Sequence, residues 1–165
     1  MEIALSILAK AFWCGFAALG FGMLFNAPVR ALHFIWIGGF LAGIIKFGLM
    51  LTALDGGIVF SSFAASVGVG IASIPVAHRS HVPPVIFSIP AVIPLVPGAF
   101  AYKTMMGFMK LTSAETESYA QTLGDTFHNG SLTLFIIIAI SLGVAIPMHV
   151  LRKASVKKIR FGGRG

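Results

Sequence analysis

Apolar residues in this chain do not alternate, nor do they line one face of a helix; they come in long unbroken blocks. Five such blocks run over about residues 3–25, 31–53, 57–77, 84–109 and 130–151. Lys10 is the only interruption of the first, Lys46 lies inside the second, and Ser, Ala and Gly crowd the third. The fourth is dense in proline, and the fifth carries the run TLFIIIAISLGVAIP. A block of about 20 apolar residues is the length that spans a bilayer's hydrocarbon core as a helix. The pattern predicts an all-α, polytopic membrane protein of about five transmembrane helices. Residues 1–152 would form the bundle, and 153–165 a basic tail.

Most connections are short: 26–30, 55–56 and 78–83. Only 110–129 is long and polar enough to fold outside the bilayer. Its TSAETESYAQTL reads as a short surface helix, with Thr112 as N-cap and Glu115 three residues on. The start of the chain does not read as a secretory leader, since Glu2 stands where a basic region belongs and the apolar run is too long.

Composition agrees with the blocks. Hydrophobic residues make up 57% and charged residues 10%, with mean hydropathy +0.94. Soluble domains run to about half apolar and about a quarter charged, so an ordinary soluble fold is excluded. Cys14 is the one cysteine, which leaves no disulfide framework and no multi-cysteine metal site within the chain. The net charge of +7 is an orientation signal. Arg30, Arg79, Arg152, Lys153, Lys157, Lys158, Arg160 and Arg164 fall on one side of a five-span path. Lys103, Lys110 and all five acids fall on the other. By the positive-inside rule the C-terminus is cytoplasmic and the N-terminus outside.

The fourth block holds the most chemistry. In PPVIFSIPAVIPLVPGAFAYK, Pro90, Pro94 and Pro97 follow one another at four and three residues, and Gly98 comes next. Each proline lacks an N–H and crowds the carbonyl four residues back, which strips partners from Ile86, Pro90 and Ile93 along one face. Lipid supplies no replacement, so such groups must face protein or a watery cavity. A discontinuous helix is expected, with Pro97 at the first position of the second half and free N–H groups near Gly98 able to attract an anion. Tyr102, one turn on, is either a donor to a bound carboxylate or an interfacial aromatic anchor.

Lys10 and Lys46 each lie about 10 Å inside the outer end of a span. They either snorkel to the surface or face an anion, and Lys46 is the stronger candidate because GGFLAGIIKFG around it permits close helix contact. No Asp or Glu lies within a span, so a coupling carboxylate would have to come from a partner. Gly38, Gly39, Gly43, Gly68 and Gly70 read as helix-contact positions. His33, His78, His81 and His149 gather near the cytoplasmic face, where interfacial roles are expected and neither metal nor other cofactor is. GIASIPVAHR and GVAIPMHVLRK echo each other, through an internal repeat or through shared helix-ending chemistry. No catalytic triad, phosphate loop or metalloprotease motif is present, so no enzymatic role is expected.

FNAPVRAL (25–32), VIPLVPGAFAY (92–102) and SLGVAIP (141–147), in this order and spacing, resemble the threonine/serine exporter family (ThrE-like). Within it they resemble the small subunit of the split, two-component type. The resemblance implies a half-transporter that works with a larger subunit, itself made of a soluble domain and about five transmembrane helices. It implies export of threonine, serine or succinate, all carboxylates. It marks Asn26, Pro28, Arg30, Pro94, Pro97, Gly98 and Tyr102 as motif positions, beside the structural prolines Pro90 and Pro147. Two other functions remain open on the residues alone: a non-transporting membrane scaffold whose basic tail binds anionic lipid or a partner, and a membrane enzyme or redox subunit.

Overall fold

The computed structural model describes residues 2–51, 57–80, 82–113 and 119–161, with side chains through residue 150. Helix α1 spans Glu2–Leu24, α2 Val29–Leu51 and α3 Gly57–Ser80. Helix α4, Pro84–Val92, continues into a single 3-10 turn, Ile93–Leu95; α5 follows at Gly98–Ser113, and α6 runs Tyr119–Phe161. Among the described residues there is no strand. Four helices are long and apolar enough to cross a membrane singly, and α4 with α5 makes a fifth span bent by 57°. The protein is therefore an all-helical membrane protein with a broken fourth span. Helix is the expected choice, since in hydrocarbon every backbone polar group must be satisfied within its own segment.

Small residues set the packing. The buried face of α1 is Ala11, Gly15, Ala18 and Gly22, a stripe at intervals of four, three and four. It packs on α2, with Gly22 against Ile35, Ala18 against Gly39 and Ala11 against Gly43. A methyl group on Gly39 would lie 2.5 Å from the Ala18 Cβ, and one on Gly43 would lie 2.7 Å from the Ala11 Cα. With no hydrophobic drive between helices in lipid, such close approach supplies the dispersion contacts that hold a bundle. The other glycines expected at contacts behave likewise: Gly38 sits against Ala91, Gly68 against Ile45 and Gly70 against Pro147. Helix α3 turns a face of Ser61, Ser62, Ala65, Ser66, Val69 and Ser73 inward. Two of its hydroxyls bond back to carbonyls of their own helix, Ser66 to Phe63 and Ser73 to Gly70, each at 2.8 Å.

The link from α1 to α2 explains part of FNAPVR. Asn26 has φ 55°. The Ala27 N–H donates to the Gly22 carbonyl at 2.9 Å and the Asn26 N–H to the Met23 carbonyl at 3.0 Å. That pair of bonds around one left-handed residue is a Schellman cap, a place where Asn substitutes for Gly. Pro28 then precedes α2, where a missing N–H costs nothing.

Two expectations are corrected. Thr112 caps no surface helix. It lies in the last turn of α5, and its hydroxyl donates to the Met109 carbonyl at 2.7 Å, a back-bond that Thr makes inside helices. Glu115 lies outside the described residues. The segment from Tyr119 is not separate either, but forms the first turns of α6, which also runs on to Phe161 through the first part of the basic tail. Asp55 and His81, and the side chains of the tail residues from Arg152 onward, also lie outside the described part.

Candidate functional site at the broken span

The break lies between Leu95 and Gly98. Pro94 sits inside the 3-10 turn, where the tighter winding lets the Val96 N–H donate to the Ile93 carbonyl at 3.0 Å. This repairs the carbonyl that Pro97 had deprived of its partner. Val96 then turns extended, with φ −60° and ψ 133°. Pro97 takes the position before the new helix rather than its first residue: its carbonyl accepts from the Phe100 and Ala101 N–H groups, both at 3.1 Å. Gly98 opens α5, and its own N–H donates to the Val96 carbonyl at 2.9 Å.

The first half-helix thus ends at Leu95, whose carbonyl has no N–H four residues on that continues the same helix. Lys46 reaches it. The Nζ donates to the Leu95 oxygen at 2.8 Å, and the lysine is only 7% exposed. Of the two readings of this residue, snorkelling is not what the side chain does. It turns inward and caps a severed helix, where the negative end of the helix dipole favours a cation. An ammonium carries three donors, and this contact uses one. The surroundings are apolar: Ala42, Ala65, Ala91, Val92, Leu95, Ile136 and Ile140 form one buried cluster. A further polar group beside Ala65, the Ser62 hydroxyl, is fully buried with no hydrogen-bond partner.

The remaining candidates divide into three places. Pro94 and Pro97 shape the break, and Pro97 is buried. Gly98 faces outward, and a Cβ there would meet nothing within 4 Å. Tyr102, 67% exposed, shares that outward face and does not approach the buried side where Lys46 lies. It lines a groove of about 360 Å³ between α5 and α6. Asn26 and Pro90 come together in a different cleft, of about 240 Å³, with Phe25, Ala27, Ile86 and Ile89. Pro147 packs on Gly70, and Arg30 is exposed. Lys10 remains at the surface, its Nζ 5.5 Å from the centre of the Phe47 ring, within cation–π range. His78 Nδ1 is hydrogen-bonded to the Ile74 carbonyl at 2.8 Å, and among the described residues no three of His, Cys, Asp and Glu gather as a metal site would need.

Sequence reasoning missed two things. The Leu95 carbonyl is not four residues before any proline, so counting back from prolines passes over it. Lys103 was assigned to the fourth block and Asp125 and Asn129 to the 110–129 connection, with nothing to signal that α5 and α6 bring them to one groove.

Several apolar spans around one span interrupted inside the bundle define a multi-pass membrane protein of transporter build. A family model described as the threonine/serine exporter, ThrE, matches residues 10–150, and the chain belongs to that family. It is also similar to an uncharacterized protein of Haemophilus influenzae, 29% identical over 144 residues, covering 87% of this chain and 47% of that one. The chain thus spans about half the length of this relative. No solved structure matches it.

Proposed function

We propose that the chain is one half of a two-component exporter of small carboxylate-bearing metabolites, of the threonine, serine or succinate kind. Its partner would be a larger ThrE-like subunit with a soluble domain and about five spans of its own. The two would work in a bacterial inner membrane, with this chain's N-terminus outside and its C-terminus cytoplasmic. The single observation carrying the reading is the buried Lys46 ammonium at the break in the fourth span. A charge at that depth is expensive and is kept where it handles a polar species in transit. In this reading Lys46 has two N–H groups to offer a carboxylate entering at the break, and it gives up or shares the Leu95 carbonyl as the solute passes. Pro94 and Pro97 keep the helix open there, Gly98 leaves the approach free of side chain, and Tyr102 stands on the outward path.

The two-component arrangement is supported by a path of up to five spans, which makes one block of the paired-block build of such transporters. Transporter halves of this kind bind their substrate between two blocks at the midplane. The test is export from vesicles holding this chain with its co-encoded partner, comparing serine, threonine and succinate. Transport that needs both chains and fails with Lys46→Met supports the reading. Full transport with Lys46→Met refutes the site. A chain that moves nothing, but loses its membrane partner when 152–165 is deleted, is a scaffold instead.

A further inference from the structure

The groove between α5 and α6 lies where these helices approach their connection, at the end of the bundle away from the Asn26 turn. Its floor is a tight helix contact: a Cβ on Gly107 would lie 2.9 Å from the Thr126 Cβ, so only glycine lets α6 settle so close. The walls above that floor carry opposite charge. Helix α5 contributes Lys103 and Lys110, two turns apart on one face and so about 10 Å from each other along the axis. Helix α6 contributes Thr122, Asp125 and Asn129. The Asn129 amide is fixed by donating to the Asp125 backbone carbonyl at 2.7 Å, which leaves its side-chain oxygen as an acceptor beside the Asp125 carboxylate. The Lys103 Nζ lies 6.0 Å from the Phe100 ring centre, at the limit of a cation–π contact, so the side chain follows its own helix and not the opposite wall. The space enclosed, about 360 Å³, is within the range of small-molecule sites.

We propose that this groove is a second small-molecule site, separate from the helix break, which selects solutes carrying both a carboxylate and an ammonium. The carboxylate meets the Lys103 ammonium and the ammonium meets Asp125 and Asn129. A dicarboxylate would set its second anion against Asp125, and a simple amine would leave Lys103 facing a cation, so each satisfies one wall and offends the other. The inference rests on the reading that the chain handles small carboxylates, but its chemistry is independent of Lys46.

Equilibrium binding of labelled L-serine to the purified full chain in lipid nanodiscs tests it, with succinate and ethanolamine as competitors. Saturable serine binding is expected, with both competitors poor. Asp125→Asn and Lys103→Gln should each weaken serine by about tenfold, the scale of one charge-assisted hydrogen bond, and Asp125→Asn should let succinate compete. Both positions are exposed, and a thermal melt of each variant shows that it is folded. Lys46→Met removes the contribution of the helix break, so saturable serine binding that persists in that variant and weakens when Asp125→Asn is added belongs to the groove. No saturable serine binding, or serine affinity unchanged in both groove variants, overturns the proposal. So does serine binding that is lost in Lys46→Met yet indifferent to Asp125.

Discussion

The two halves of the fourth span share one stretch of sequence and live in different surroundings. Helix α4 and its 3-10 turn pack against α1, α2 and α3, and Phe87, Ser88, Pro90, Ala91, Val92 and Leu95 are all buried. Past the 57° bend, α5 packs closely on α6 alone, and Gly107 is the one buried residue over 98–112. Tyr102, Met105, Phe108 and Met109 stand exposed along it. The prolines therefore sit where their cost is contained: on the embedded side neighbouring helices and Lys46 take over the work of missing backbone bonds. The peripheral half is left with an apolar flank that this chain does not cover. One half belongs to the scaffold, and the other faces lipid or a partner.

The sharpest way to break this contrast is at the cap. Lys46→Met keeps the apolar stem and removes the donor to Leu95, and export should fall by about a hundredfold or more, as for an essential intramembrane charge. Lys46→Arg, which keeps the charge, should retain a measurable part. Next comes packing in the embedded half. Ala91→Leu thrusts a larger side chain toward Gly38, where even a methyl would stand 3.0 Å from the Ala91 Cβ. It should lower stability by about 1–3 kcal/mol, read as an earlier thermal melt in nanodiscs. Gly107→Val tests the tightest glycine contact of the peripheral half; it should loosen α5 from α6, increasing hydrogen exchange over 98–112 while leaving α4 protected. The smallest effect is expected at Met105→Ala, within about 0.5 kcal/mol. If Ala91→Leu and Met105→Ala cost the same, the two halves are not differently embedded.

What was readable in advance followed from the bilayer. A span has to be long and apolar, so the five blocks, the all-helical class and the position of the break were all visible in residue order. Three prolines and a glycine within nine positions cannot make a continuous helix. Lys46 stood out for its depth, but not for its direction, because inward or outward depends on where the crossing helix places a carbonyl. The Leu95 oxygen became available only because the chain turns extended at Val96, a local conformation no spacing rule announces. Thr112 misled for a related reason: the same Thr that caps a helix start also back-bonds within a helix end, and the choice is made by how far α5 continues. Lys103, Asp125 and Asn129 were unreadable as a set, since their meeting is a property of how α5 packs on α6.

The central claim is that small carboxylates pass at the break between Leu95 and Gly98, and Gly98→Leu addresses it with little ambiguity. A Cβ at this position meets nothing within 4 Å, so the added side chain starts in open space and not in the packed bundle. Reconstituted with the larger subunit proposed above, the variant should melt like the parent and assemble like it, yet export none of serine, threonine or succinate from vesicles. Export at the parental rate by a folded, assembled Gly98→Leu pair would place the pathway elsewhere.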